Sequence, residues 1–578
     1  MVFYRRKKKN IFSRIIFLGI IFFILWGMIL LRLAKLQIID WQKYQSLAQE
    51  MRTFEKERES ERGEIFVREG NEMIPIAINI YSYNLYAKPN EIKDPVGTAR
   101  LIAESLKIPI QETNNDFQEI LKKVSKKNDW YEILKKGLSQ EEVDEIKTKK
   151  IKGIDFEKKI ERFYPEGRYF SHLLGFVGFK GEKKEGRYGL EEYYENILSG
   201  KEGLIKGEKG IGGVLIPSGK TIFKEAKNGA NLILTINRTI QIKTCEILTK
   251  AIEKYQAESG NIIVVDPKTG EIISLCNWPT FDPNRYNEVK EISIFSNRAI
   301  SSQFEPGSVF KTITFAAALE EGKITPELTY EDKGVLKIGG RTIKNAAGKV
   351  YGRRTMREVL EKSINTGAVF VAQKIGLDKF REYVEKFGFG EKTGIDLVGE
   401  IKGDIKNLSK KEEIYLATAS FGQGIAVTPL QMVMSFAAIA NQGKLMKPYL
   451  VKEIISDDYY FKNEPKEIRQ VISPKTAEIL KNLLISVVKN GWGKRAGVKG
   501  YLVAGKTGTA EVPQSKGYSS STIHSFAGFA PADDPKFVAF VKLDNPKLGK
   551  FSDRTAAPTF GELADFILKY YKIPPTEE

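Results

Sequence analysis

Along this chain the spacing of apolar residues changes four times, and each change predicts a different kind of element. From Ile15 to Leu31 runs "IIFLGIIFFILWGMILL", seventeen residues without a charge and without a polar face, extended by Leu33, Ala34 and Leu36. That is close to the ~20 residues a helix needs to cross a bilayer, and it predicts a membrane-spanning helix. From about Leu36 to Arg62 the chain is charged and reads as helix. "EIFVREGNEMIPIAINIYSYNLYAK" then alternates apolar and polar positions, which predicts half-buried strands. Residues 90–160 read as helical. Near Gly229 the texture changes again. "NLILTINRTIQIKTCEILTKAIEKY" predicts a strand followed by a helix, and "GNIIVVDPKTGEIISLCNWP" predicts a hairpin. A strand with small residues, "KGYLVAGKTGTAEV", lies near the C-terminal end.

With 578 residues the chain exceeds one compact core. Four segments are expected: a basic cytoplasmic tail (1–14), a membrane helix (15–36), a non-catalytic pedestal or dimerisation domain (37–228) and a catalytic domain (229–578). Arg5, Arg6, Lys7, Lys8, Lys9 and Arg14 precede the apolar run. The positive-inside rule therefore puts the N-terminus in the cytoplasm and the remainder outside. A cleaved signal peptide would have a shorter apolar region and a small-x-small site. The net charge of +18 suits a membrane surface, an anionic polymer or nucleic acid, or belongs to an evenly lysine-rich surface. No zinc-knuckle spacing or aromatic-interleaved basic stripe supports nucleic acid. Cys245 and Cys276, each in an apolar context, read as two buried free thiols, and with His172 and His524 the only histidines, no metal site or cofactor is expected.

Lys-Thr-Gly occurs at Lys268, Lys392 and Lys506. The first copy sits in a hairpin turn and the second in a Gly-punctuated connection between a helix and a strand. The third is in a strand whose Gly and Ala let a ligand approach the backbone. Ser-x-x-Lys occurs at Ser308–Lys311 and at Ser486–Lys489. The Ser486 copy lies within an amphipathic helix and reads as ordinary helical surface. The Ser308 copy follows Pro306-Gly307 and opens a long apolar helix, so Ser308 sits where free backbone N–H groups polarise a carbonyl. Lys311 lies one turn on, on the same face. Serine needs a base, and lysine is the available one. A lysine with a pKa of about 10.4 is ~0.04% neutral at pH 7, a deficit of roughly 4–5 kcal/mol. Burial and a second positive charge from Lys506 both reduce that deficit. Ser363-Ile364-Asn365 supplies a proton relay and an amide that orients substrate. Ser82-Tyr83-Asn84 reads as strand.

Ser-x-x-Lys, Ser-x-Asn and Lys-Thr-Gly in that order are the set found in penicillin-binding proteins and class A β-lactamases. With "RGEIFVREG", "GRYGLEEYYENILSGKEG", "FGFGEKTGIDLVGE" and "ASFGQGIAVTPLQ", the chain resembles the class B penicillin-binding proteins from Arg62 to about Tyr571. Glu305-Pro306-Gly307-Ser308 and Ser363-Ile364-Asn365-Thr366-Gly367 look like the division (septal) branch, whose features a spore-cortex relative would share. The resemblance implies an α+β fold: an elongated pedestal, then a serine β-lactamase-like transpeptidase domain whose antiparallel sheet is flanked by helices. It implies that Ser308 attacks the penultimate D-Ala carbonyl of a stem peptide ending in D-Ala-D-Ala, with Lys311 as base. Backbone N–H groups of Ser308 and Thr509 form the oxyanion hole. Ser363 passes a proton to the leaving D-Ala, Asn365 holds the donor, and Lys506, Thr507, Gly508 and Thr509 bind its carboxylate. β-Lactams acylate Ser308, and a SEDS-type glycosyltransferase in the membrane is the expected partner. The chain departs from the family pattern at Val67, Glu69, Asn237 and Thr312. A glycosyltransferase domain has no signature here, and a β-lactamase would be shorter and released from the membrane. An elongation-type class B enzyme and a D,D-carboxypeptidase, which shares the motifs and transfers to water, are the enzymatic alternatives. A β-lactam sensor or scaffold is the non-enzymatic alternative.

Overall fold

The computed structural model describes residues 11–45, 53–58, 60–111, 113–181, 183–208, 222–514 and 517–576. The chain divides into two compact units, Met1–Ser60 with Lys201–Lys227 and Glu61–Gly200 with Asn228–Glu578. In the first, helix α1 (Ile11–Ala34) runs into a π-turn at Lys35–Ile39. Arg14–Ile39 is long and apolar enough to span a bilayer, and none of it is covered by protein, which fits a membrane anchor. Of the basic tail, Arg5 to Lys9 lie outside the described residues. The helix expected to continue to Arg62 gives way to a strand at Thr53–Arg58, which pairs antiparallel with Gly203–Glu208 and, through it, Ile222–Lys224. Its charged sequence carries no strand pattern, so the pairing partner imposes the conformation.

The second unit begins with the predicted strands, β1 (Ile65–Glu69) and β2 (Glu72–Ala87), paired antiparallel. Ser82-Tyr83-Asn84 lies within β2, as expected. Residues 90–160 are not wholly helical: β3 (Glu132–Leu138) and β4 (Ile154–Phe163) interrupt the helices, and both pair with β2. β5 (Asn231–Leu234) joins β1 in parallel and pairs on its other side with Val451–Ile455. One seven-stranded sheet thus carries strands from distant parts of the chain. Val67 is fully buried, so an apolar residue suits that position. Glu69 accepts hydrogen bonds from Thr239 and from the Tyr570 hydroxyl. At the end of this sheet Arg62 donates to Glu191 (2.6 Å) and Glu195 (2.7 Å), and Arg162 donates to Glu191 (2.8 Å). Burial alone would raise the Glu191 carboxyl, but the two guanidinium groups outweigh it and hold it below the usual range.

Helix α2 (Arg238–Tyr255) follows, capped by Asn237, which accepts from Ile240 N–H at 3.0 Å. Asn therefore performs the cap that an Asp would. β6 (Ser259–Val265) and β7 (Ile272–Trp278) form the predicted hairpin, with Lys268-Thr269-Gly270 in its turn. They belong to a five-stranded antiparallel sheet of order β7-β6-β10-β9-β8, where β8 is Ala504–Pro513, β9 Tyr518–Ala530 and β10 Phe537–Asp544. Alternate side chains leave opposite faces of a strand. Ile262 and Val264 join the apolar cluster of α2 and the C-terminal helix Ala556–Tyr570, while Ile263 and Val265 join that of Lys311–Glu320. The sheet is covered on both faces. Packing of α2 on β7 brings Cys245 and Cys276 to a Cα separation of 5.4 Å, and they form a disulfide rather than two free thiols.

Candidate active site

The segment before the nucleophile candidate is held against strand β8. Gly307–Phe310 forms a 3-10 turn that continues into helix α3 (Lys311–Glu320). Gly307 has φ +58°, and a Cβ there would stand 3.0 Å from the Thr509 carbonyl oxygen. From the strand side, a Cβ on Gly508 would stand 2.9 Å from Val309 and 3.0 Å from the Pro306 carbonyl. Two glycines thus permit backbone to meet backbone, and Ser308 is set beside the third Lys-Thr-Gly copy. Ser308 is half-buried. Among the described residues its hydroxyl has no hydrogen-bond partner.

Ser363 is the meeting point of the two lysines. Lys311 Nζ donates to the Ser363 carbonyl (2.6 Å), Ser363 Oγ (3.2 Å) and Asn365 Oδ1 (2.8 Å). Lys506 Nζ approaches the same Oγ at 3.0 Å and also bonds the Thr507 carbonyl at 3.1 Å. Both lysines are fully buried. Burial, and then the Lys506 charge, hold Lys311 well below its ordinary pKa. Burial takes Lys506 down to about 7. Lys506 is the like charge beside Lys311, second to burial as a cause of the shift. Ser363 itself has φ +55°, a left-handed conformation uncommon for a residue with a side chain.

Sequence reasoning missed the residues that hold this turn. Asn345 Oδ1 accepts from the backbone N–H of Asn365 (3.0 Å) and of Thr366 (3.2 Å). Its Nδ2 donates to both oxygens of Asp332, at 3.0 and 2.9 Å. Asp332 also accepts from Thr366 Oγ1 (2.6 Å), Gly334 N–H and Tyr351 N–H. Asn365 Nδ2 reaches the Lys344 carbonyl. All three network side chains are buried. They secure the first turn of helix α4 (Asn365–Ile375). On β8, Thr509 Oγ1 lies 3.0 Å from Ser552 Oγ and accepts from Ser552 N–H. No short-range pattern announces Asp332, Asn345 or Ser552; each is recognisable only by the side chain it meets.

The remaining candidates resolve into structural roles. Thr393 and Gly394 of the second Lys-Thr-Gly donate to Glu400, closing a turn that follows a helix and leads into no strand. Ser486 is buried within helix α5 (Pro474–Asn490) and bonded to Glu361, not on a helical surface. His172 bonds the Ile294 carbonyl at 2.8 Å and His524 bonds Thr555 Oγ1 at 2.8 Å. Burial lowers both to about 4. Thr312 is buried and its hydroxyl has no partner among the described residues.

A serine at the start of a buried helix, two desolvated lysines and an edge strand of a five-stranded antiparallel sheet thus meet at one place. Comparison with known proteins gives the family. Residues 260–565 match the penicillin binding protein transpeptidase domain, and residues 57–234 match the penicillin-binding protein dimerisation domain. The chain is 35% identical to stage V sporulation protein D of Bacillus subtilis (94% of this chain, 84% of that protein). It is 32% identical to the peptidoglycan D,D-transpeptidase FtsI of Buchnera aphidicola (100% and 99%). Among solved structures, penicillin binding protein 3 of Mycobacterium tuberculosis complexed with aztreonam superposes with a TM-score of 0.69 at 26% identity, covering 90% of this chain and 99% of that one. The chain belongs to the class B penicillin-binding proteins.

Proposed function

We propose that this protein is a membrane-anchored peptidoglycan D,D-transpeptidase that cross-links stem peptides through an acyl-Ser308 intermediate and is inactivated by β-lactams. The observation that carries the reading is the convergence of Lys311 and Lys506 on Ser363, with both ammonium groups desolvated. Lys311 takes the Ser308 proton as Oγ bonds to the penultimate D-Ala carbonyl carbon. Backbone N–H groups of Ser308 and Thr509 receive the oxyanion. The C–N bond then breaks, and the departing D-Ala amine takes a proton by way of Ser363, which contacts both lysines. Lys506, Thr507, Gly508 and Thr509 hold the terminal carboxylate, and Asn365 orients the donor. An amine from a second stem attacks the ester, releases Ser308 and forms the cross-link.

The basic residues before α1 support a cytoplasmic N-terminus with the catalytic domain outside, and the resemblance to class B enzymes supports a SEDS-type glycosyltransferase as the membrane partner. Glu305-Pro306-Gly307-Ser308 supports a septal role, and the sporulation relative supports a spore-wall role for the same chemistry. The test is labelling of membranes with a fluorescent penicillin. The wild type gives a band near 65 kDa, and Ser308→Ala gives none. A thioester substrate offered with an amine then reports cross-linking. Labelling that survives in Ser308→Ala refutes the assignment.

A further inference from the structure

Glu305 stands three residues before Ser308, and the acylation chemistry leaves it without a task. Its side chain is 9% exposed. One carboxyl oxygen accepts from Gly424 N–H at 2.9 Å and meets the Tyr518 hydroxyl at 3.5 Å. The other oxygen, Oε2, is buried and has no hydrogen-bond partner. No ion pair involves this carboxyl among the described residues. A buried carboxylate lacking a cation is costly, and such a group is retained where a ligand completes it. Lys311 and Lys506 are bonded to Ser363 and give this carboxyl no ion pair. The acceptor of a transpeptidase is an amine that arrives as an ammonium ion, which a carboxylate attracts.

We propose that Glu305 is the acceptor-amine residue, a role that rests on the transpeptidase reading above. The ammonium of the second stem exchanges for the long Tyr518 contact and pairs with the Glu305 carboxylate. One N–H proton passes to the carboxylate, leaving a neutral amine and a carboxylic acid. The amine nitrogen then bonds to the acyl carbon of the Ser308 ester and the C–Oγ bond breaks. A second amine proton returns to Ser308 Oγ through Lys311, and Glu305 later loses its proton to solvent. Burial raises the Glu305 carboxyl above the ordinary carboxylate range, which suits it to accepting a proton. The carboxylate attracts and orients an ammonium ion, and water carries no charge for it to attract, so Glu305 favours cross-linking over hydrolysis.

The experiment uses the full-length protein with a thioester donor and D-alanine as amine acceptor, and reads three quantities. These are the penicillin acylation rate, the hydrolysis rate and the ratio of aminolysis to hydrolysis. Glu305→Gln is expected to acylate like wild type while that ratio falls on the order of 100-fold, the scale of a lost general base. Glu305→Asp, which keeps the charge, is expected to recover most of it. A wild-type ratio in Glu305→Gln overturns the proposal. So do equal losses in Gln and Asp, which would trace the effect to shape, and so does failure of Glu305→Gln to acylate, which would make the residue a support for the Ser308 loop. Failure of the transpeptidase reading itself appears separately, as absent acylation in wild type.

Discussion

Replacing Lys506 by methionine isolates the contribution of one charge to the basicity of another. Both lysine nitrogens contact Ser363 Oγ, at 3.2 and 3.0 Å, so they lie at most about 6.2 Å apart. At an effective dielectric of about 20, two unit charges at that separation repel by roughly 2.7 kcal/mol, or about 2 pKa units. Burial brings Lys506 down to about 7, so it is charged below that pH and there disfavours a proton on Lys311, whose pKa burial and the Lys506 charge hold well below its ordinary value. The sign follows: the reactive form is neutral Lys311, Lys506 favours that form, and Lys506→Met moves the ionisation upward. The second-order rate of penicillin acylation, measured from pH 4.5 to 9.5, rises with pH to a plateau in both proteins. The midpoint of the rise is expected about 2 pH units higher in Lys506→Met. Loss of carboxylate binding lowers the plateau but leaves the midpoint alone, so the two effects separate. Methionine has nearly the length of lysine and suits a buried slot. A midpoint that stays within half a unit of wild type, or falls, refutes Lys311 as the base tuned by Lys506.

Two further substitutions probe the support around the site. Asn345→Ala leaves the N–H groups of Asn365 and Thr366 without this acceptor and removes one of the donors to Asp332, at about 1–3 kcal/mol per orphaned group. It is expected to slow penicillin acylation at least tenfold in protein that circular dichroism shows folded, and unchanged acylation would remove Asn345 from any positioning role. Glu191→Gln takes the charge from between Arg62 and Arg162, and breaking a buried pair of this kind costs about 3–5 kcal/mol. Thermal unfolding is expected at lower temperature while labelling of Ser308 persists in the folded fraction; an unchanged Tm contradicts the network's contribution.

Why some of this was legible in the sequence and some was not follows from the range of the forces. Ser308 and Lys311 are one helical turn apart, so chain spacing alone places them on a common face. Lys506 to Thr509 share a strand, and that copy of Lys-Thr-Gly was separable from the other two by its small neighbours. The strand around Ile262 to Val265 was readable because a strand buried on both faces shows a continuous apolar run. Long-range pairing left no such trace. Cys245 and Cys276 each sit in apolar sequence that a buried thiol would share, and only the packing of α2 on β7 brings them to bonding distance. Thr53–Arg58 is mostly charged and becomes a strand because Gly203–Glu208 lies beside it. Asp332 and Asn345 stand 34 and 20 residues from the turn they secure, in a segment whose polar composition reads as loop. The motifs of this family therefore name the atoms proposed to react. The desolvation that lowers Lys311, and the scaffold that fixes Asn365, are properties of the assembled fold. Glu305 sits between the two cases: it was visible as a letter beside the nucleophile, and its unpaired oxygen became visible only once the surrounding chain had closed over it.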